Sequence, residues 1–198
     1  MVLKLLFNYR QMNMVKPSPG APGRVMRSKK GFSLIELLIV VAIILVIAAI
    51  AIPNLLQARI SANESSAAAG LHVLQSAEVT YFTAYPIIGF ADGIAQLGGA
   101  VPCTPASTAA CLVDNVVATA IPGSVGKSGY FYQATGNKSG GATSNTGYVV
   151  AAAPVVFHST GNRDFCSTSD VILRAQMGSA GGLPVTTEAA CIAFPVAP

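Results

Sequence analysis

The stretch Gly31-Phe32-Ser33-Leu34-Ile35-Glu36-Leu37-Leu38 opens an apolar run that continues to Ile52, and Glu36 is the only charge in it. As a helix, residues 32–52 would rise about 31 Å, the thickness of the hydrocarbon core of a bilayer. A carboxylate at bilayer depth costs about 2.5–3.5 kcal/mol on insertion scales, so a charge kept there marks a functional residue. A secretory signal would share the basic start and apolar core, and Ala49-Ile50-Ala51 could pass for a small-residue cleavage site. The length of the run, the presence of Glu36 and the helix-compatible sequence beyond it argue for an anchor instead.

The formal charge of +4 hides two opposite segments. Residues 1–31 carry seven Lys and Arg and no acid, whereas the remainder carries five basic residues against eight acids. Removing the first segment turns a basic protein into a mildly acidic one, so the overall balance is no evidence for nucleic-acid binding. Lys and Arg beside a membrane span stay cytoplasmic. The N-terminus is therefore expected inside and the larger C-terminal part outside. Cys103, Cys111, Cys166 and Cys191 would then lie in an oxidising compartment, where an even count points to two disulfides with three possible connectivities.

Residues 32–85 read as one long helix in two halves. Residues 32–53 are apolar all round, as a membrane span or a filament core must be. In residues 54–85, Leu71, Leu74, Glu78, Tyr81 and Tyr85 recur at three- and four-residue spacing, a stripe suited to packing on a head, with Glu78 expected at its edge. Pro53 lacks an N–H for the carbonyl of Ala49 and should kink or loosen a continuous helix; alternatively it starts a new one. Pro86 marks the helix end. Residues 86–128 then read as a long loop with a short helix near 92–97. Strands are expected at 130–134, 148–156, around 165–166 and at 171–176, separated by Gly, Ser and Asn. Pro154 should end its strand or lie at an edge. The fold expected is α+β: a long N-terminal helix packed on a small antiparallel sheet.

The block GFSLIELLIVVAIILVIAAIAIPNLLQAR, residues 31–59, closely resembles the N-terminus of type IV prepilins. Lys29-Lys30-Gly31-Phe32-Ser33-Leu34-Ile35-Glu36 matches the family motif at every position that matters. The resemblance implies a leader, residues 1–31, cut after Gly31 by prepilin peptidase, with the new amino group of Phe32 then methylated. Leaders in the family are often short, so Met26 is a candidate start. The resemblance favours one continuous, bent helix through Pro53. It also implies that Glu36, which gains its partner only after cleavage, meets the Phe32 amine of a neighbouring subunit and sets assembly register. In a low-dielectric core that attraction is large, while a lone carboxylate would rather protonate.

Residues 161–166 and 171–174 resemble the late hairpin of pilins, more weakly. The two local disulfides, Cys103–Cys111 and Cys166–Cys191, are the expected pairing; the second would tie down the C-terminal tail, as in many pilins. Residues 86–198 would form the head. The implied function is a structural subunit, anchored in the inner membrane before polymerising into a surface filament for adhesion, twitching motility or DNA uptake. The implied partners are other copies of the chain, membrane lipid, prepilin peptidase, the inner-membrane platform and its assembly ATPase.

A type II secretion pseudopilin would share every N-terminal feature. Major pseudopilins hold calcium with clustered C-terminal acids, whereas Asp164, Asp170 and Glu188 are scattered here, and two disulfides fit a pilin better. A membrane-anchored envelope enzyme or binding protein is the remaining class, without a catalytic constellation to support it. His72 and His158 are isolated, no C-x-x-C pair or matched His pair suggests zinc, and no cofactor is expected. Gly126-Lys127-Ser128 echoes a phosphate loop, but Ile121 stands where that motif needs glycine. It reads as a turn into the strand that begins at Tyr130.

Overall fold

A computed structural model describes residues 31–197 of the chain. The leader and the alternative start at Met26 lie outside the described residues. Helix α1 runs from Leu34 to Ala84 with Pro53 inside it, so Pro53 does not begin a second helix. The chain divides into two units between Ile44 and Leu45. The first holds the start of α1, with its described residues exposed. The second holds the rest of α1 and the head.

Within the second unit α1 is bare as far as Arg59, and Ile60 is its first buried residue. From there Ala67, Leu71, Leu74 and Tyr81 face the head. The sheet has four antiparallel strands in sequential order: β1 (Tyr130–Asn137), β2 (Gly147–Pro154), β3 (Arg163–Thr168) and β4 (Arg174–Met177). Alternation along the strands assigns its faces. Tyr130, Tyr132, Tyr148, Val150, Ala152, Phe165 and Ala175 join the α1 stripe in the main core. Val149, Ala151 and Cys166 point the other way, where Cys191, Phe194 and Val185 of the C-terminal segment cover them. Strand β2 is thus buried on both sides, which explains its run of Val and Ala.

Three short helices decorate this frame: α2 (Ile94–Leu97), α3 (Asn115–Ala118) and α4 (Glu188–Ile192). The first is the helix expected near 92–97; α3 lies in the stretch expected as loop. Asp114 caps α3 by accepting from the Val116 N–H at 3.3 Å, and Thr187 caps α4. Cys103 is bonded to Cys111 and Cys166 to Cys191.

Two sequence expectations are corrected here. The last strand starts at Arg174, not at residue 171. The Asp170 carboxylate accepts hydrogen bonds from Thr168 Oγ1 at 2.8 Å, the Ile172 N–H at 3.0 Å and the Arg174 guanidinium. The chain wraps around that carboxylate as a turn, with Val171 held at φ +61°, a conformation a β-branched residue rarely adopts. Glu78 is fully buried inside the stripe and not at its edge.

Each outer strand has part of its free edge covered by another segment of the chain. On β1, the Tyr132 N–H donates to Ala120 O at 2.7 Å. On β4, the Ala175 N–H donates to Pro195 O at 3.0 Å. Beside it the Ala197 N–H donates to Leu173 O at 3.0 Å.

Candidate functional site

Gly31, Phe32 and Ser33 are exposed and non-helical, directly before α1. A Cβ added to Gly31 would meet nothing within 4 Å. Nothing inside the described chain therefore requires glycine there, and the requirement, if there is one, comes from a partner that needs close access to the backbone.

The first turn of α1 is closed by its own residues. Ser33 O accepts from the Glu36 N–H at 3.1 Å and the Leu37 N–H at 3.3 Å. The Glu36 carboxylate reaches back to accept the Ser33 N–H at 3.0 Å. This is the acidic half of a capping box, and the S-x-x-E spacing of Ser33 and Glu36 is its sequence signature. The sequence reading gives Glu36 a partner only after cleavage; the structure gives it one already. That signal was present in the motif, masked by the membrane reading of the same residue.

Beyond the cap, the side chains from Leu34 to Leu56 form an exposed apolar sleeve, long and apolar enough to cross a membrane. An apolar surface of this size on a monomer marks a contact with lipid or protein. The sleeve brackets Glu36 and passes Pro53 without interruption of the helix.

The second half of α1 turns its polar groups toward the head. The carboxylate of Glu64 accepts from the Asn162 N–H at 2.9 Å and from Arg163 Nε at 2.8 Å. Gln75 donates to Ser167 Oγ and accepts from His72 Nδ1 at 2.9 Å. Glu78 accepts the Ala91 N–H at 2.9 Å, while its other oxygen is buried without a partner among the described residues. Burial pushes the Glu78 pKa up to about 7 against the lowering effect of that hydrogen bond. Burial likewise raises Asp164 to about 6, whereas the hydrogen bond from Arg174 holds Asp170 well below the usual carboxylate range. These groups tie helix, loop and sheet together.

The remaining candidates are local. His158 bonds to Asn162 at 2.9 Å, four residues away. Lys127 exchanges backbone hydrogen bonds with Tyr130, so residues 126–129 are the turn expected from sequence. Among the described residues no three His, Cys, Asp or Glu side chains gather as a metal site would require.

Residues 26–52 match the family model for the prokaryotic N-terminal methylation motif. The chain is similar to the type IV wide pilus major component PilA4 of Thermus thermophilus, 60% identical over 47 residues, or 24% of this chain and 36% of that protein. It is also similar to the type IV major pilin protein PilA of Myxococcus xanthus, 46% identical over 54 residues, or 27% of this chain and 24% of that protein. The chain thus spans between a quarter and just over a third of the length of these curated relatives. No solved structure matches it. The N-terminal part of the chain thus carries the methylation motif and is similar to type IV pilus components, and the fold, a long helix packed on a four-stranded antiparallel sheet, is consistent with that of a pilin.

Proposed function

We propose that the protein is the structural subunit of a type IV pilus, made as a single-pass precursor with a cytoplasmic N-terminus. Prepilin peptidase cuts after Gly31 and methylates the Phe32 amine. The inner-membrane platform and its ATPase then add the subunit to a filament whose core is residues 32–53, with residues 54–85 linking that core to the surface-forming head. Pro53 loosens the helix during packing, because the Ala49 carbonyl has no N–H to accept. Glu36 exchanges its Ser33 amide for the Phe32 amine of a neighbour, and this exchange fixes register. Adhesion, twitching motility and DNA uptake are functions of such filaments as a whole.

The observation that carries this reading is the junction itself. An exposed, non-helical Gly31-Phe32 junction with open space around Gly31 stands directly before an exposed apolar helix that contains one acid. N-terminal mass spectrometry of sheared surface filaments tests it. The expected product begins at N-methylated Phe32, and Gly31→Leu should leave uncut precursor in the membrane. Filaments built from subunits with an intact leader, or starting near Asn54, would overturn it.

A further inference from the structure

The end of the head nearest the apolar sleeve has a composition the filament role does not require. Strand β1 begins there, so the loop before it (residues 121–129) and the loop after β2 (residues 155–161) both project past that end of the sheet. The two loops are joined by the Val155 N–H, which donates to Gly129 O at 2.9 Å. They grip α1 where the head first covers it: Asn63 Nδ2 donates to Thr160 O at 2.9 Å, and Ser66 Oγ bonds to Ser128 Oγ at 3.0 Å.

This rim exposes large apolar side chains beside cations. Val125 is 93% exposed, and Val156 and Ile121 are also exposed. Lys127 lies two residues from Val125, and Arg59 lies one residue before Ile60. Neither cation has an ion-pair partner among the described residues, and neither loop contains an acid. Arg163, the third cation of this end, is already paired with Glu64. Beside Val125 an open groove of about 380 Å³ is lined by Val116, Thr119 and Val125 among others. Asp114, the nearest acid to it in sequence, is engaged as the α3 cap.

We propose that this rim docks on the anionic headgroups of the membrane in which the subunit is anchored. Arg59 and Lys127 face lipid phosphate, and Val125 and Val156 enter the interface. Three observations select lipid as the occupant. The cations complement phosphate and have no protein partner. The exposed valines would be costly in water and are suited to the boundary between headgroups and acyl chains. The rim is also continuous with the sleeve: Ile60 lies eight residues past Ile52, about 12 Å along the helix, while the headgroup layer itself is about 5–8 Å thick. Arginine and lysine stems span such a gap with the charge in the polar layer. Docking would hold unassembled heads down on the membrane, and extraction into a filament would release them.

The inference rests on the anchored-subunit reading, and the test separates the two. The chain has no Trp, so Val125→Trp and Ile87→Trp each place a single reporter in it. Ile87 is as exposed as Val125 but follows the far end of α1. The full chain is reconstituted in vesicles of phosphatidylcholine with or without phosphatidylglycerol, carrying a headgroup quencher. Flotation first establishes anchoring; failure to float would overturn the anchored reading and this inference with it. The Val125→Trp reporter should be blue-shifted and quenched in anionic vesicles only, and Ile87→Trp in neither. Arg59→Gln with Lys127→Gln should lower docking by about fivefold per cation removed, as should raised salt. Equal, weak quenching of both reporters in a floating protein would overturn docking alone. A shift that depends on protein-to-lipid ratio and not on phosphatidylglycerol would assign the rim to a second copy of the chain, and would overturn lipid as its occupant.

Discussion

Glu78→Gln isolates the most buried acid of the helix. Ordinary glutamate titrates near 4.5, and burial raises Glu78 to about 7. The folded state therefore keeps a proton that the unfolded state releases between about pH 4.5 and 7. Stability from this group is full below about 4.5, falls as pH rises, and levels off above about 7. The raised value corresponds to about 3 kcal/mol across that window. Glutamine keeps an acceptor for the Ala91 N–H and never ionises. Its amide group would sit where one carboxylate oxygen has no partner, a cost of about 1 kcal/mol at every pH. Wild type should therefore be the more stable protein at pH 4.5, and the variant the more stable at pH 8. The gap between them should change by about 3 kcal/mol, or roughly 6–12 °C in melting temperature for a domain of this size. Asp164, raised to about 6, titrates in both proteins and cancels in the comparison. Melting the full chain in detergent at several pH values, followed by near-UV circular dichroism, provides the assay. A gap that does not move between pH 4.5 and 8 would refute the reasoning, because it would mean that Glu78 is ionised throughout and stabilised by its surroundings.

Glu36→Val should give a subunit that inserts at least as well as wild type and is still cut after Gly31, but makes few filaments, because the Phe32 amine of a neighbour is left buried without a partner. Glu36→Gln keeps an acceptor for the Ser33 N–H, so wild-type filament yield from it would show that the charge is dispensable; sheared-filament yield measures both. Cys191→Ser opens a disulfide closing a 25-residue separation and should cost about 3.5 kcal/mol in the chain-entropy account, seen in denaturant titration with Gly31 cleavage unchanged. Gly70→Ala should destabilise by about 1–2 kcal/mol despite the better helix propensity of alanine, because its Cβ would lie 2.7 Å from the ring of the buried Tyr132. A higher melting temperature for that variant would show that Tyr132 can move aside.

The long helix was legible because its signals are one-dimensional: an apolar run, a stripe from Leu71 to Tyr81, and Pro86 beyond its end. The four strands were legible for the same reason, since Gly, Ser and Asn clusters bound their apolar stretches. The parts that were not legible depend on contacts distant in sequence or on a single side chain redirecting the backbone. Val171, Ile172 and Leu173 look like strand residues, yet the Asp170 carboxylate draws them into a turn. Glu78 looks like an edge residue until the Ala91 N–H, brought back by a loop thirteen residues on, supplies a partner in the core. The cap between Ser33 and Glu36 had a plain spacing signature. The same carboxylate also lies in an apolar run, where its charge points to a long-range partner as strongly as its spacing points to a local one.

The partial cover on the outer strands has a consequence for crowding. In the proposed filament identical heads would be forced together at a local concentration few soluble proteins meet, and a bare strand there would invite its copies to pair edge to edge. On one side the β1 backbone is held by Ala120; on the other, residues 195–197 lie against β4, in the same C-terminal segment that Cys191 fastens to the sheet. Loss of that fastening would thus do more than weaken one subunit. It would bare a sticky margin at the moment neighbours are closest, so the same defect that lowers stability would also convert orderly growth into irregular clumping.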